Sequence, residues 1–344
     1  MDNGGTAMDV FVMKPCYRFG EMTPWGGDNL RLLFGKDAPE DRVGESLEVS
    51  ALSGLESVIT NGAYAGKTLA QALEDDYEAI TGCGKKPFPL LLKLLDARDT
   101  LSVQVHPGDE YALEHDGKYG KTEAWVVLSA EEGSRIAYGI KESDRPLNDI
   151  VQSGDIESCL RFVHPRPGEV YYIPHGCVHA LGGGVMVYEI QQSSDATYRF
   201  WDWGRVGKDG KPRELHTQKA LDVTRASLKL DKVPGATALV SGGSITYYIC
   251  DDNFELMRLN VAGKMPLDFK TMAFVTPLAE CRITWDGGEA TLSPFQTALI
   301  PAAAKNVSIE GRLPALCSTL PEKEKLKTLL SYRAENVAGL TGEV

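Results

Sequence analysis

The sequence has no apolar run long enough to cross a membrane and no leader segment of the secretory type. A membrane helix needs about 20 consecutive apolar residues, and no stretch of this 344-residue chain approaches that length. The segment from Met1 to Met13 lacks a basic region followed by an apolar one. The sequence therefore predicts a cytoplasmic protein that does not act at a membrane.

Paired cysteines are also missing. The chain has seven cysteines, an odd number, which are widely spaced and include no C-x-x-C pair. This distribution argues against a disulfide framework and against a metal site built from thiolates. We expect reduced cysteines in the protein core.

Positive charge is scarce. The chain carries 36 Lys and Arg against 48 Asp and Glu, a formal net charge of −12, and no dense basic segment. A nucleic-acid partner requires a basic face, so the charge disfavours this class of function. A small anionic substrate remains compatible, because a few local cations suffice to hold it.

Helical patterns are few and short, and most of the chain has the pattern of short strands separated by Gly, Pro and Asp turns. This spacing is typical of a β-barrel or a β-sandwich. The length exceeds that of a usual single domain. We therefore predict a catalytic domain with short helical insertions over residues 1–235. A C-terminal β domain, ending in a helix within 321–335, is predicted over 236–344.

A weak internal repeat suggests that the two predicted domains are related. Residues 167–174 (PGEVYYIP) and 294–301 (PFQTALIP) share a proline, an apolar alternation and an Ile-Pro ending. Five residues further on, the first copy has His179 and the second has Asn306. A real repeat would make the second domain a degenerate barrel without a metal. Two unrelated strands that both end in Ile-Pro explain the match equally well.

A polar face lies inside an apolar strand at residues 101–108 (LSVQVHPG). Strand alternation puts Ser102, Gln104 and His106 on one side and the apolar residues on the other. A polar face inside a strand needs partners, so this strand is a candidate for a buried site.

Two further segments supply complementary groups. The following strand offers Lys121 and Glu123, and residues 174–180 (PHGCVHA) offer His179. Imidazole nitrogens and carboxylate oxygens suit Zn²⁺, and a catalytic zinc site leaves a position for water or substrate. A single histidine is more often a satisfied core or surface residue. The common strand faces favour a metal site here.

A glycine turn at residues 182–184 precedes the strand that contains Glu189. If this turn closes a hairpin, residue 179 pairs with 187 and Glu189 lies diagonally beside His179. A second carboxylate would then lie near the metal.

Two cations elsewhere in the chain each have two possible roles. Arg199 lies in an aromatic strand, where it is either solvated or part of the site. Lys93 interrupts an apolar run, in which a buried ammonium needs an anion. A substrate phosphate and an internal carboxylate are equally good candidates for that anion.

The residues together resemble type I mannose-6-phosphate isomerases (phosphomannose isomerases) in their short bacterial form. The resemblance is specific in three segments and loose after about residue 240. Those segments are LSVQVHP at 101–107, GKTEAW at 120–125 and YEIQQSSDATYR at 188–199. Leu47 stands where the family often has an aromatic residue, and Gly183 where the cupin pattern has Asn; neither change removes a candidate ligand.

The resemblance implies a mainly β fold: a cupin-type double-stranded β-helix (jelly-roll) barrel, a few short helices and a second, degenerate β domain. It implies one Zn²⁺ per chain. Its implied metal ligands are Gln104, His106, Glu123 and His179. Its implied catalytic residues are Arg199, Glu189 and Lys121, and its implied substrate-binding residues are Ser102 and Lys93.

The implied reaction is the interconversion of mannose 6-phosphate and fructose 6-phosphate through a cis-enediol. Glu189 is our first choice for the proton carrier, with His106 or a zinc-bound water as rivals, while Arg199 and Lys121 would stabilise negative charge. The alternatives are a cupin isomerase for another sugar phosphate, a non-catalytic sugar-binding cupin and, less favoured, an Fe²⁺ oxygenase. We expect a monomer or a homodimer.

Overall fold

The computed structural model describes residues 8–84, 87–207 and 210–324, and antiparallel strands dominate its secondary structure. The strands are β1 Phe11–Lys14, β2 Cys16–Phe19, β3 Val43–Val49, β4 Val58–Ile59, β5 Leu90–Ala97, β6 Val103–Val105, β7 Glu123–Ala130, β8 Ile136–Ile140, β9 Leu160–Val163, β10 Val170–Ile173, β11 His179–Ala180, β12 Val185–Gln192, β13 Tyr198–Trp201, β14 Ala236–Val240, β15 Gly243–Cys250, β16 Glu255–Pro266, β17 Ala273–Pro277, β18 Cys281–Trp285, β19 Gly288–Leu292, β20 Ala298–Ile300 and β21 Ser308–Thr319. The mainly β prediction is confirmed.

The helices are short. They are α1 Asn29–Leu32, α2 Leu69–Thr81, α3 Asp109–Asp116, α4 Leu147–Gln152, α5 Ile156–Cys159 and α6 Thr217–Val223, with a 3-10 turn at Gly62–Tyr64. Among the described residues, no helix has the length and apolar character that a membrane crossing requires. The predicted terminal helix lies, from residue 325 onward, outside the described residues.

The chain divides into two compact units. The first comprises the described parts of Met1–Cys16, Leu47–Leu92 and Pro234–Val344, and the second comprises Tyr17–Ser46 and Lys93–Val233. The division into domains over 1–235 and 236–344 stays a prediction.

Two sheets provide the framework of the second unit. A six-stranded sheet has the order β10-β7-β12-β5-β3-β2, and a five-stranded sheet has the order β13-β6-β11-β8-β9. Side chains from both sheets form one apolar cluster; Trp125 and Val187 come from the first sheet, and Ile136 and Tyr138 from the second. The two sheets therefore pack face to face, as in a sandwich or barrel.

Helices cover the other face of the five-stranded sheet. Val103 and Val105 of β6 pack there with Ile150 of α4, Ile156 of α5 and Ala220 of α6. Because strand side chains alternate, burying these valines under the helices turns the residue between them toward the opposite sheet. The apolar alternation of β6 thus places its polar residue inside.

The first unit contains a ten-stranded sheet. Its main path is β14-β15-β16-β21-β17-β20-β1-β4, and β18 pairs with β19 and β21. The two longest strands, β16 and β21, pair over their whole length. Their inward side chains, including Met257, Leu259 and Ala315, belong to the apolar cluster of this unit.

The glycine turn before β12 depends on a close backbone approach at Gly182. A Cβ atom on Gly182 would lie 1.7 Å from the carbonyl oxygen of Arg135. We expect Gly182→Ala to lower the free energy of unfolding by about 3 kcal/mol, at the upper end of the usual cost of overpacking. Urea unfolding measures this loss. Gly84→Ala is the control, because its Cβ would have no neighbour within 4 Å. Equal stability of the two variants would contradict the expectation.

Candidate active site

One rung of the five-stranded sheet carries three of the predicted site residues. Gln104 of β6 lies directly opposite Arg199 of β13 and directly opposite His179 of β11. His179 in turn lies opposite Tyr138 of β8. Residues that are directly opposite each other in a ladder share a face, and Tyr138 is part of the apolar cluster between the sheets. The rung therefore faces the six-stranded sheet.

The six-stranded sheet contributes two carboxylates. In the pairing of β7 with β12, Glu123 lies opposite Gln191, and Trp125 lies opposite Glu189. The indole Nε1 of Trp125 donates a hydrogen bond of 2.7 Å to Oε2 of Glu189. Trp125 also belongs to the cluster between the sheets, so both carboxylates project inward with it.

The hairpin that we predicted from the glycine turn is wrong. His179 pairs with strands β6 and β8, whereas the strand that contains Glu189 pairs with β7. The turn connects strands of two different sheets. Glu189 therefore lies on the sheet that faces His179 rather than beside it in one ladder.

His106, Glu123 and His179 form a group that could hold a metal ion. One ligand atom from each lies within 4.8 Å of the others, and all three residues are buried. His179 Nε2 is 3.2 Å from Glu123 Oε1, and His106 Nε2 is 3.4 Å from Glu123 Oε2. The two imidazole rings lie with their centroids 4.8 Å apart.

Backbone carbonyls fix the tautomer of both imidazoles. Nδ1 of His106 lies 2.9 Å from the carbonyl oxygen of Ala196, and Nδ1 of His179 lies 3.0 Å from that of Cys177. Since a carbonyl oxygen only accepts, each Nδ1 carries the proton. In the neutral form of each ring, Nε2 then presents a lone pair to the site, which is the usual arrangement of a metal-binding histidine.

The facing atoms of His179 and Glu123 fit a bound cation. In the neutral Nδ1–H form of His179, Nε2 carries a lone pair, and the buried Oε1 of Glu123 has no hydrogen-bond partner among the described residues. Two acceptor atoms 3.2 Å apart repel each other unless a cation lies between them. Zinc bonds of about 2.0–2.2 Å at tetrahedral angles put neighbouring donor atoms roughly 3.4 Å apart. The distances from the two Glu123 oxygens to the imidazole Nε2 atoms, 3.2 Å for His179 and 3.4 Å for His106, are close to that value.

Gln104 is suitably placed for a fourth ligand. Its amide Nε2 lies 3.3 Å from Nε2 of His179. A half-turn of the amide places Oε1 in the same position, and this oxygen is the atom that binds metals. The structure thus brings the four predicted ligands together.

The Lys121 ammonium lies against two of these ligands. It donates a short hydrogen bond to Glu123 Oε2, and its Nζ is 3.0 Å from Nε2 of His106. Burial and this ammonium lower the pKa of His106 to about 3, so its imidazole stays neutral. Burial alone would raise the pKa of Glu123, but Lys121 and His106 outweigh it and hold that pKa well below its ordinary value.

Lys93 pairs with internal carboxylates, one of the two alternatives that the sequence left open. Its Nζ lies 3.3 Å from Glu45 and 3.4 Å from Oε1 of Glu189. Burial alone would lower the pKa of Lys93, but Glu45 and Glu189 raise it above its ordinary value. The ammonium therefore stays charged. Binding of substrate by Lys93 stays a prediction.

The two oxygens of Glu189 have different surroundings. Oε2 accepts a hydrogen bond from Trp125, while Oε1 is buried 3.4 Å from the Lys93 ammonium and has no hydrogen-bond partner among the described residues. Burial and the charge of Glu123 raise the pKa of Glu189, although Lys93 and Lys121 act in the opposite direction. A carboxyl group with a raised pKa is suited to taking up and releasing a proton.

Arg199 uses only part of its hydrogen-bonding capacity. Its Nη1 donates to the carbonyl oxygen of Glu214 over 2.7 Å, whereas its buried Nε has no hydrogen-bond partner among the described residues. Burial and the nearby Arg213 lower the pKa of Arg199. Ser102 is buried and lies immediately before β6, two residues before Gln104. Its contact with substrate stays a prediction.

Glu45 and Trp125 also belong to the site, although neither was predicted from the sequence. Glu45 is a buried carboxylate in β3, where it also lies 3.4 Å from Arg18. No apolar run marks it as the run around Lys93 does, because β3 also contains Ser46 and Glu48. Trp125 follows Glu123 by two residues and so shares its face.

Comparisons with known proteins agree on one family. Residues 18–124 match the model described as phosphomannose isomerase type I, catalytic domain. The chain is 36% identical over 298 residues to a mannose-6-phosphate isomerase of Streptococcus mutans, covering 86% of this chain and 94% of that protein. It is 38% identical, with the same coverage, to a putative mannose-6-phosphate isomerase of Bacillus subtilis.

Solved structures give the same result. The crystal structure of the mannose 6-phosphate isomerase from Bacillus subtilis matches with a TM-score of 0.84 at 31% identity, over 91% of this chain and 100% of that chain. A variant of phosphomannose isomerase from Salmonella typhimurium matches with a TM-score of 0.71 over 91% of this chain and 100% of that chain. At 16% identity, that second match supports the fold alone.

Proposed function

The chain belongs to the type I phosphomannose isomerases, which are aldose–ketose isomerases, and from this membership we propose a zinc-dependent conversion of mannose 6-phosphate to fructose 6-phosphate. Its fold is the cupin fold that the sequence predicted. In the proposal, zinc is held by Gln104, His106, Glu123 and His179. Nitrogen and oxygen donors of these types suit Zn²⁺.

The observation that supports the metal is the pair of facing acceptor atoms. With His179 in its neutral Nδ1–H form, an imidazole lone pair and a carboxylate oxygen that has no hydrogen-bond partner among the described residues lie 3.2 Å apart, both buried, which is costly without a cation. A bound zinc ion would supply positive charge to the sugar oxygens.

The reaction moves a hydrogen between two neighbouring carbons of the open sugar. A base removes the C2 proton of the aldose, and the C–H electron pair forms the C1–C2 double bond of a cis-enediol while the carbonyl oxygen becomes an alcohol or alkoxide. Return of a proton to C1, with loss of the O2 proton, gives the ketose. The site needs a base that reaches both carbons and cations beside the oxygens.

Glu189 is our proposed proton carrier. Its Oε2 is held by Trp125, so the carboxylate has a fixed orientation, and its Oε1 forms no hydrogen bond with the described residues, although it lies 3.4 Å from the Lys93 ammonium. The raised pKa strengthens it as a base. His106 is a weaker candidate, because its pKa of about 3 makes it a poor base.

Arg199 and Lys121 are the proposed stabilisers of the enediolate. Arg199 lies opposite Gln104 on the inward rung and has a buried Nε without a partner. The Lys121 ammonium lies beside the metal ligands. Lys121 is buried with the ligands that it contacts and Arg199 is partly buried, and positive charge is most effective where water is excluded.

A coupled assay with purified protein tests the proposed reaction. We expect turnover of mannose 6-phosphate that disappears after chelation and returns with zinc, together with about one equivalent of bound metal by elemental analysis. Glucose 6-phosphate serves as the substrate control. Zinc bound at one equivalent without turnover would instead support another sugar phosphate or a non-catalytic sugar-binding role. The cytoplasmic location and the monomeric or homodimeric state stay predictions.

A further inference from the structure

The orientation of His106 depends on a carbonyl group that lies in a loop. Nδ1 of His106 donates to the oxygen of Ala196 over 2.9 Å. Ala196 lies in loop 193–197, which connects β12 to β13. A loop does not have the ladder bonds that hold a strand, so something else must fix this carbonyl if it is to orient an imidazole.

The hydroxyl of Ser194 ties this loop to a second one. Ser194 Oγ donates to the carbonyl of Tyr119 over 2.7 Å and accepts from the backbone N–H of Ala196 over 3.1 Å. Tyr119 lies in loop 117–122, which carries Lys121 into the site. One buried hydroxyl therefore uses its donor and an acceptor position to join the loop of the ammonium to the loop of the carbonyl.

Gln191 holds Ser194 from the other side. Its Nε2 donates to the carbonyl oxygens of Gln192 and Ser194 over 2.7 and 2.8 Å. Gln192 adds contacts to loop 117–122, because its N–H donates to the carbonyl of Thr122 and its Oε1 accepts from the N–H of Thr122. The backbone of Ser194 is thus held in place, and its hydroxyl in turn holds Ala196 by accepting a hydrogen bond from the Ala196 N–H.

We propose that Ser194 is a positioning residue for the metal centre, because its hydroxyl fixes the Ala196 carbonyl that orients His106. The proposal rests on the proposed binding of zinc by His106. Ser194 does not contact the metal or the sugar in this role. It acts by keeping the proton of His106 on Nδ1 and its lone pair on Nε2. Loss of a group that orients a ligand usually weakens metal binding by about 10–100-fold.

Zinc affinity of the whole protein tests the proposal. Ser194→Ala should weaken Zn²⁺ binding, measured by competition with a chelator, by about 10–100-fold. Ser153→Ala should leave the affinity unchanged; this serine is the matched control, because its hydroxyl donates to the carbonyl of Ile150 in helix α4. Equal affinity of Ser194→Ala and the wild-type protein would overturn the proposal.

A spectroscopic measurement separates positioning from a general loss of structure. In the metal-free protein with ¹⁵N-labelled histidine, Ser194→Ala should lose the fixed Nδ1–H tautomer of His106. His179 is the internal control and should keep its tautomer, because the carbonyl of Cys177 holds it. An unchanged His106 tautomer would show that Ser194 has only a structural role.

Two further outcomes are distinguishable. A wild-type protein that binds no zinc would remove the proposed metal site itself, whatever Ser194 does. If Ser194→Ala does not fold, Ser194→Cys retains the side-chain volume with a weaker hydrogen-bonding group. It should still weaken zinc binding and release the His106 tautomer, and wild-type values for both would overturn the proposal.

Discussion

Replacement of Glu189 by glutamine should lower kcat by about 10²–10⁴-fold, the usual contribution of a positioned general base. The substitution keeps the size of the side chain and an oxygen that can accept from the Trp125 indole. It removes the ability to carry a proton, together with the negative charge that pairs with Lys93. Zinc affinity should stay near the wild-type value, because Glu189 is not among the grouped ligand residues. Steady-state kinetics and a zinc titration measure the two quantities.

The pH profile provides a second readout of the same variant. A raised pKa for Glu189 means that the carboxyl group takes up its proton at a higher pH than an ordinary glutamate does. In the wild-type protein, kcat/KM should therefore fall as the pH decreases through that pKa, because the base is lost. The residual activity of Glu189→Gln should lack this acidic limb. An identical limb in the variant would assign it to another group and remove Glu189 as the base.

Arg199→Ala should lower kcat by about 10²–10³-fold, the effect of removing one group that stabilises an oxyanion. Zinc binding should change little, since Arg199 bonds to the carbonyl of Glu214 rather than to a ligand side chain. Arg199→Lys is the matched control, because it retains the charge without the planar donors. It should recover part of the lost rate. A wild-type kcat in Arg199→Ala would exclude this residue from the mechanism.

Strand alternation was sufficient to predict that the Gln104 side chain points into the site. It put Gln104 on the opposite side of β6 from Val103 and Val105, and the structure places the valines under helices. The prediction was reliable because burial on both faces fixes the register of such a strand. A turn pattern predicted the position of Glu189 incorrectly. Three glycines allow a tight hairpin, but they also allow the chain to pass from one sheet to the other, as it does here.

Tertiary partners of buried charges could not be predicted from local sequence. Lys93 was recognisable as a cation in an apolar strand, but its partners Glu45 and Glu189 come from strands far away in the chain. Helix α3 has no local signal in the sequence for a related reason. Ala112 is its only fully buried residue, so no apolar stripe marks it in the sequence.

The buried charges around Lys93 and Lys121 determine the order in which the site can fill. Two ammonium groups and the Arg18 guanidinium meet the carboxylates of Glu45, Glu123 and Glu189, so positive and negative charges balance when all six groups are ionised. A balanced cluster gives an anionic sugar phosphate no net attraction. A divalent cation bound at the proposed ligands would add positive charge there. Binding of the substrate would then depend on the metal, so an enzyme without its cation would hold its substrate only weakly.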